Sequence, residues 1–312
     1  MLRFLTTLLI LLAMARLLSA EPLDARQLPA NAAWVVHLDV EAAKASVLAQ
    51  AVRDNWMNQP EIRKAIQKAR NATGMDPTRE IRSLTLYGLD YSPEQTVLIV
   101  RGKVDRPRLE ALLQKIPGYR HEVVDGHELH FWTEEQNHAR AGISNSRAGA
   151  FFRDDTIVIS ADTKTLIVAL NVLEEKVSSL SATSPLALVA NEGTFVQAAA
   201  VGFADAKNLP IQSPILRQCE SGSIALGEHQ GTVFFHGKLI TRSAESAAQV
   251  KSAFDAWRGI SMRKMADDIQ RLLLRPLNVD ENDKTIEIDW AQSSKELVKL
   301  IQARQLHSIA KE

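Results

Sequence analysis

Cysteine is nearly absent, with Cys219 the one thiol in 312 residues. A lone thiol forms no internal disulfide, so the stability of the fold has to come from packing. Cysteine is also small and often buried, which places Cys219 in a core. An excess of charge is missing too. Lys plus Arg and Asp plus Glu stand at 37 each, which leaves no net field to recruit nucleic acid or an anionic membrane surface. Removing the first twenty residues takes away Arg3 and Arg16 alone, leaving 35 basic against 37 acidic side chains.

Long apolar runs are lacking as well. The stretch from Phe4 to Ala15 is closed by Arg16 and falls short of the roughly 20 residues a membrane span needs. Arg3 followed by that short apolar run is the layout of a secretory signal peptide over residues 1–20, cut after Ala20. If it is not cut, the same stretch would tether the chain to a membrane, its one route to a bilayer. Catalytic signatures are likewise missing. The chain holds no G-x-S-x-G elbow, no P-loop, and no G-x-G-x-x-G after a strand. Glu134-Glu135, Asp154-Asp155, Glu174-Glu175 and Asp267-Asp268 are neighbours in sequence, and such neighbours point apart rather than form an acid-base pair. No cofactor is called for, and the chain reads as non-enzymatic.

What is present is an ordinary globular composition, 46% hydrophobic and 24% charged, long enough for two domains. Ile81 to Leu89 and Thr96 to Val104 read as a hairpin that runs into a helix capped by Asp105. A shorter copy stands at Gly222 to Gly227 and Thr232 to Ile240, followed by a helix capped by Ser243. In both, the first strand ends at a glycine (Gly88, Gly227) and the second carries Gly-Lys (Gly102-Lys103, Gly237-Lys238). Before the first copy lie a strand, Ala33 to Asp39, and two helices. One carries Ala43, Val47 and Ala51 on its buried stripe, and the other opens at Pro60. After it come the hairpin Tyr119 to Trp132, a polar loop from Thr133 to Ala148, a hairpin about Arg153-Asp154-Asp155, and a helix capped by Asp162.

The expected fold is therefore α+β. It consists of two tandem units of ferredoxin-like β-α-β-β-α-β order, each an antiparallel sheet with its helices on one face. The expected division is 1–20 signal peptide, 21–177 first unit with extra hairpins and a helix, 178–193 linker, and 194–312 second unit. The linker is assigned on serine-rich Ser178 to Ser184.

Three of the eight histidines fall in the Tyr119 to Trp132 hairpin. With Asp125-Gly126 as a two-residue primed turn, His121 faces His130, and both share a side with Tyr119 and Trp132. Two opposed imidazoles can bind a transition metal, with Glu128 or nearby Glu134 as a carboxylate ligand and His138 in the following loop. The spacing matches no zinc motif, and the competing reading is an aromatic and polar cross-strand ladder.

The segments NAAWVVHLDVEAAKAS (31–46), IRSLTLYGLD (81–90), VLIVRGKVDRPRLEALL (97–113) and TIVISADTKTLIVALNVL (156–173) together resemble a group of uncharacterised exported bacterial proteins of duplicated α+β build. The resemblance implies a periplasmic or secreted location and transfers no catalytic residue. The expected function is that of an exported, non-enzymatic binding or interaction protein of the bacterial envelope, whose partner is a protein or envelope ligand. The alternatives are a metal-dependent hydrolase or metal-binding protein centred on His121, His130 and Glu128, and a membrane-tethered regulator with an uncleaved anchor.

Overall fold

The structure, a computed structural model, describes residues 21–133, 146–203, 206, 213–264 and 274–309. The expected signal peptide, most of the polar loop, Glu134 and His138 lie outside the described residues.

The first half of the chain runs β1 (Trp34–Asp39), α1 (Val40–Ala45), α2 (Val47–Met57), α3 (Pro60–Thr73), α4 (Pro77–Glu80), β2 (Ile81–Gly88), β3 (Thr96–Gly102) and α5 (Arg106–Leu113). It continues through β4 (Arg120–Val124), β5 (His127–Thr133), β6 (Ser146–Arg153), β7 (Thr156–Ser160) and α6 (Thr163–Leu173). The second half runs β8 (Thr194–Val201), β9 (Cys219–His229), β10 (Thr232–Thr241), α7 (Ala244–Lys264), β11 (Asn278–Asn282), β12 (Thr285–Ser293) and α8 (Ser294–Ile309).

Local chemistry sets the element boundaries. Asp39, Asp105 and Asp162 each accept a backbone N–H from the first turn of the helix that follows, and Ser243 does the same for α7. The helix expected around Ala43, Val47 and Ala51 is broken at Ser46. There an extended residue turns its hydroxyl onto the Ala49 N–H, ending α1 and starting α2.

The α+β class holds, but the sheet arrangement differs from the expectation of two separate sheets. All twelve strands join one sheet in the order β11-β12-β10-β9-β8-β1-β2-β3-β7-β6-β5-β4. Every pairing is antiparallel, but β1 pairs directly with β2, whereas in a ferredoxin-like unit the two strands flanking a helix run parallel with another strand between them. The cause lies in the excursion through α1 to α4. It begins after Asp39 and returns with Ser83 opposite Asp39, so β2 starts where β1 ended and must run back beside it. Pairing β1 with β8, from Trp34↔Ala200 to Leu38↔Val196, also removes two edges that separate sheets would have left open.

The expected linker is not loose. Ser179 bridges Pro29, the Leu180 N–H donates to the Leu28 carbonyl at 2.8 Å, and Leu180 and Leu186 are buried. Strand β11 is an addition, because a run with one apolar residue, Val279, gave no alternation to read.

Register carries the two faces across the sheet. Tyr87, Val35, Ala199, Ser223, Lys238 and Glu287 stand opposite one another in turn and so share a face. In the first half that face is the main core. Val35, Tyr87, Val97, Ile99, Leu129, Ala150 and Val158 are covered by Leu166, Ala169, Leu170 and Leu173 of α6. In the second half the other face is covered, with Ala247 and Val250 of α7 over Val279 and Ile286. The final helix α8 stands where α6 stands in chain order, but it packs against α2. The N-terminus of α2 is held by Glu228, which lies opposite Val233 on the α7 face. Among the described residues, no helix lines the cleft on the α6 face of the second half. Among the described residues no helix is long and apolar enough to cross a membrane.

Candidate functional site

The histidine hairpin forms in the register its turn dictates. Asp125 and Gly126 take φ of 51° and 83°, as a primed turn requires, and His121 stands opposite His130. The two rings stack with centroids 4.9 Å apart and planes 25° apart. The Tyr119 hydroxyl meets Nδ1 of His130 at 2.8 Å, and Phe151 meets the same ring edge-on. Imidazole lone pairs lie in the ring plane, so stacked rings aim them side by side rather than at a common point. Glu128 is engaged by Arg106 at 2.7 Å, and that hydrogen bond holds its carboxyl below the usual carboxylate range. Nε2 of His130 is buried without a partner, with the Glu110 carboxylate 4.0 Å away. Burial, with His121 alongside, holds the His130 pKa below the ordinary value. Among the described residues no group of three or more His, Cys, Asp or Glu side chains is placed to hold a metal ion. Cys219 is buried, as its residue type led us to expect.

A second cluster is assembled from residues far apart in the sequence. On the α6 face of the second half, one row crosses five strands from His37 through Gln197, Ala225 and His236 to Asp289. Beside it lie Ser223, Lys238 and Glu287. All of these except His37 line a cleft of about 330 Å³, walled on one side by Leu188, Val189 and Asn191. The row exists because β8, β9, β10 and β12 keep a common register and because strand side chains alternate, so positions two apart share a face. The loop wall follows from Leu186, which is buried in the first-half core and draws the chain across the mouth.

Two features set this cleft apart from an ordinary polar sheet face. His236 and Asp289 are joined by a 2.5 Å hydrogen bond while both remain about half exposed. Gln197 is 2% exposed, yet its Nε2 has no hydrogen-bond partner. Buried amides nearly always find a partner, and an unmet one carries a desolvation penalty. The cleft thus brings together a buried, unpartnered amide at Gln197, a cation in Lys238, and carboxylates at Glu287 and Asp289. This donor and acceptor set suits the capture of a small polar molecule. It lacks an identified nucleophile held by the His236-Asp289 pair, and so it does not define a reaction. Sequence reasoning passed over these residues because Gln197 and Asp289 lie far apart in the chain. The one trace was Phe234, His236 and Lys238 alternating with Val233, Phe235 and Leu239.

No protein-family model matches the chain, and no curated protein matches it. Among solved structures, crystal form III of the treponemal protein TP0453 aligns with a TM-score of 0.44 and 14% identity, over 91% of this chain and 99% of that one. Crystal form I of the same protein gives 0.40 and 12% identity, over 91% and 98%. No residue role passes to this chain from a likeness so faint.

Proposed function

We propose that the protein is an exported, non-enzymatic binding protein of the bacterial envelope, periplasmic or secreted, that takes a small polar ligand in the second-half cleft. The observation that carries this reading is the buried Gln197 amide, without a partner and lining a polar opening beside Lys238. A ligand carbonyl or carboxylate would satisfy that amide and sit near the lysine, while Glu287 would receive a donor on the ligand. Charge on both sides favours a ligand with both acceptor and donor groups, which fits a chain with no net charge of its own. The export half of the reading rests on Arg3 and the short apolar run that follows. We read the two halves, 21–177 and 194–312 with 178–193 between them, as tandem copies. The matched run of strand, hairpin, helix, returning hairpin and helix supports this.

The test is native mass spectrometry of protein recovered from the envelope fraction, beside Gln197→Met and Lys238→Ala. A bound small molecule present on the wild type and lost from both variants is the expected result. Equal adducts on all three, or none on any, would overturn the ligand reading. Recovery of the chain only in membranes with residues 1–20 attached would replace it with the tethered regulator.

A metal-binding reading has its own observation, the unpartnered Nε2 of His130 next to His121. Zinc or copper found in purified protein and lost in the His121→Ala, His130→Ala double variant would establish it. Metal-free protein removes it.

A further inference from the structure

The first described residue, Glu21, is tied into the sheet at three points. Its carbonyl accepts from Nε2 of His37 at 2.7 Å, and its carboxylate accepts from the Ser83 hydroxyl at 2.8 Å and pairs with Arg82 at 3.1 Å. A carbonyl can only accept, so Nε2 of His37 carries the proton. Nδ1 then accepts from the Thr85 hydroxyl at 2.9 Å, which fixes the ring. Asp39 lies on the same face, two residues along β1 and 2% exposed. Its Oδ1 caps α1 by accepting from the Ala42 N–H at 2.8 Å, but its Oδ2 is buried with no partner. Glu21 is held beside this carboxylate, because Ser83, which donates to its side chain, stands opposite Asp39 on β2. Removing such a group from water without full compensation is costly, and burial does push the Asp39 carboxyl above its ordinary pKa.

We propose that the pocket around Asp39 is a receptor for the chain's own α-ammonium group, created when the peptide bond between Ala20 and Glu21 is hydrolysed. This rests on the export reading above, in which residues 1–20 are a signal peptide. Water adds across the bond under a leader-cleaving protease. Ala20 leaves with a carboxylate, and the Glu21 nitrogen, until then an amide with one hydrogen, becomes an ammonium with three. The charge and the added donors arise beside a carboxylate that lacks both a counter-charge and one hydrogen bond. Cleavage therefore completes the site, and the processed chain is held more firmly than the unprocessed one. The other charged or titratable groups around the site are His37 on β1, the Glu21 carboxylate itself, Arg82 with its partner Asp155, and Arg101 on β3.

The test compares the full chain, the same chain cut so that it begins at Glu21, and the cut chain with an acetyl group on the Glu21 nitrogen. Each is also made with Asp39→Asn, which keeps an acceptor for the α1 cap and removes the charge. The expected result is an unfolding midpoint about 4 °C or more higher for the cut chain, reversed by acetylation, with neither change in the Asp39→Asn background. The α-ammonium should titrate about one unit or more above its usual value of about 7.7 to 8.0, and return to it in Asp39→Asn. Equal midpoints for the cut and acetylated chains, or an ordinary titration, would overturn the proposal. If Asp39→Asn does not fold, the acetylated pair and the titration decide it. The mass of the protein recovered from cells reports separately whether Glu21 is the natural start, so failure of the export reading and failure of the receptor can be told apart.

Discussion

Replacing Gln197 with methionine asks whether the cleft carries an unmet donor. Gln197 stands on β8 between His37 and Ala225, 2% exposed, with Nε2 unpartnered. An unmade hydrogen bond at a buried amide costs about 1–3 kcal/mol. Methionine has nearly the same length and volume, and volume-conserving swaps in a packed site cost less than about 1.5 kcal/mol. The first effect should win by about 1 kcal/mol, so Gln197→Met should be the more stable protein in the absence of ligand. In a chain of this size that moves the midpoint up by about 2–4 °C. Thermal and urea unfolding measure it, with an unchanged urea slope showing that the unfolded state has not altered. Ligand should stabilise the wild type alone and so close or reverse the gap. A midpoint about 3 °C or more below the wild type would refute the reasoning, because the amide would then be bonded in the free protein.

Two further perturbations address how the sheet is held. The Glu228 carboxylate accepts the Ser46 hydroxyl at 2.7 Å and the Leu48 N–H at 3.0 Å, so Glu228→Ala should cost about 1–2 kcal/mol, as loss of a cap and of a charge at a helix N-terminus does. Burial raises the Glu228 pKa, but the hydrogen bonds from Leu48 and Ser46 outweigh it and the net shift is downward. Its contribution is then complete above the unfolded value of about 4.3 and lost as pH falls through the lower folded value. Unfolding curves of wild type and variant should converge in acid, and a constant gap down to strongly acidic pH would refute this account. His130 has the opposite consequence. With its folded pKa below the ordinary value of about 6.5, the unfolded chain takes up the proton first, so stability falls as pH drops below that value. His130→Phe should lose less stability between about pH 7 and pH 5 than the wild type, and equal pH slopes would show that the ring is not shielded.

Local structure was legible where local chemistry decides it. Asp125-Gly126 allows one turn type, which fixes the pairing of His121 with His130, and Asp39, Asp105, Asp162 and Ser243 cap helices wherever they precede an apolar stripe. The caps also mislead, since Ser46 breaks a continuous helical stripe because Glu228, 182 residues away, receives its hydroxyl. Alternation in β10 reveals two faces but not which one is covered. That choice depends on α8 packing against α2, a contact between distant parts of the chain. For the same reason Gln197 looked like any polar strand residue until β1, β9, β10 and β12 were set beside it. The joining of two expected sheets into one was hidden because nothing in β1 (WVVHLD) or β8 (TFVQAAAV) names the strand it pairs with, more than 150 residues away in the chain.

The seam between β1 and β8 has a consequence for shortened forms of the protein. In the intact sheet the edge strands are β4 and β11, and both carry charge there, Arg120 and Glu122 on one and Asp280 and Glu281 on the other, which discourages adhesion. A fragment that stops before β8 would bare the backbone of Trp34 to Leu38, a stretch with no such protection. Because β1 meets its neighbour antiparallel, two such fragments can mate through this strand across a two-fold axis. A half-molecule should therefore behave as a dimer, with the missing half replaced by a second copy of the first.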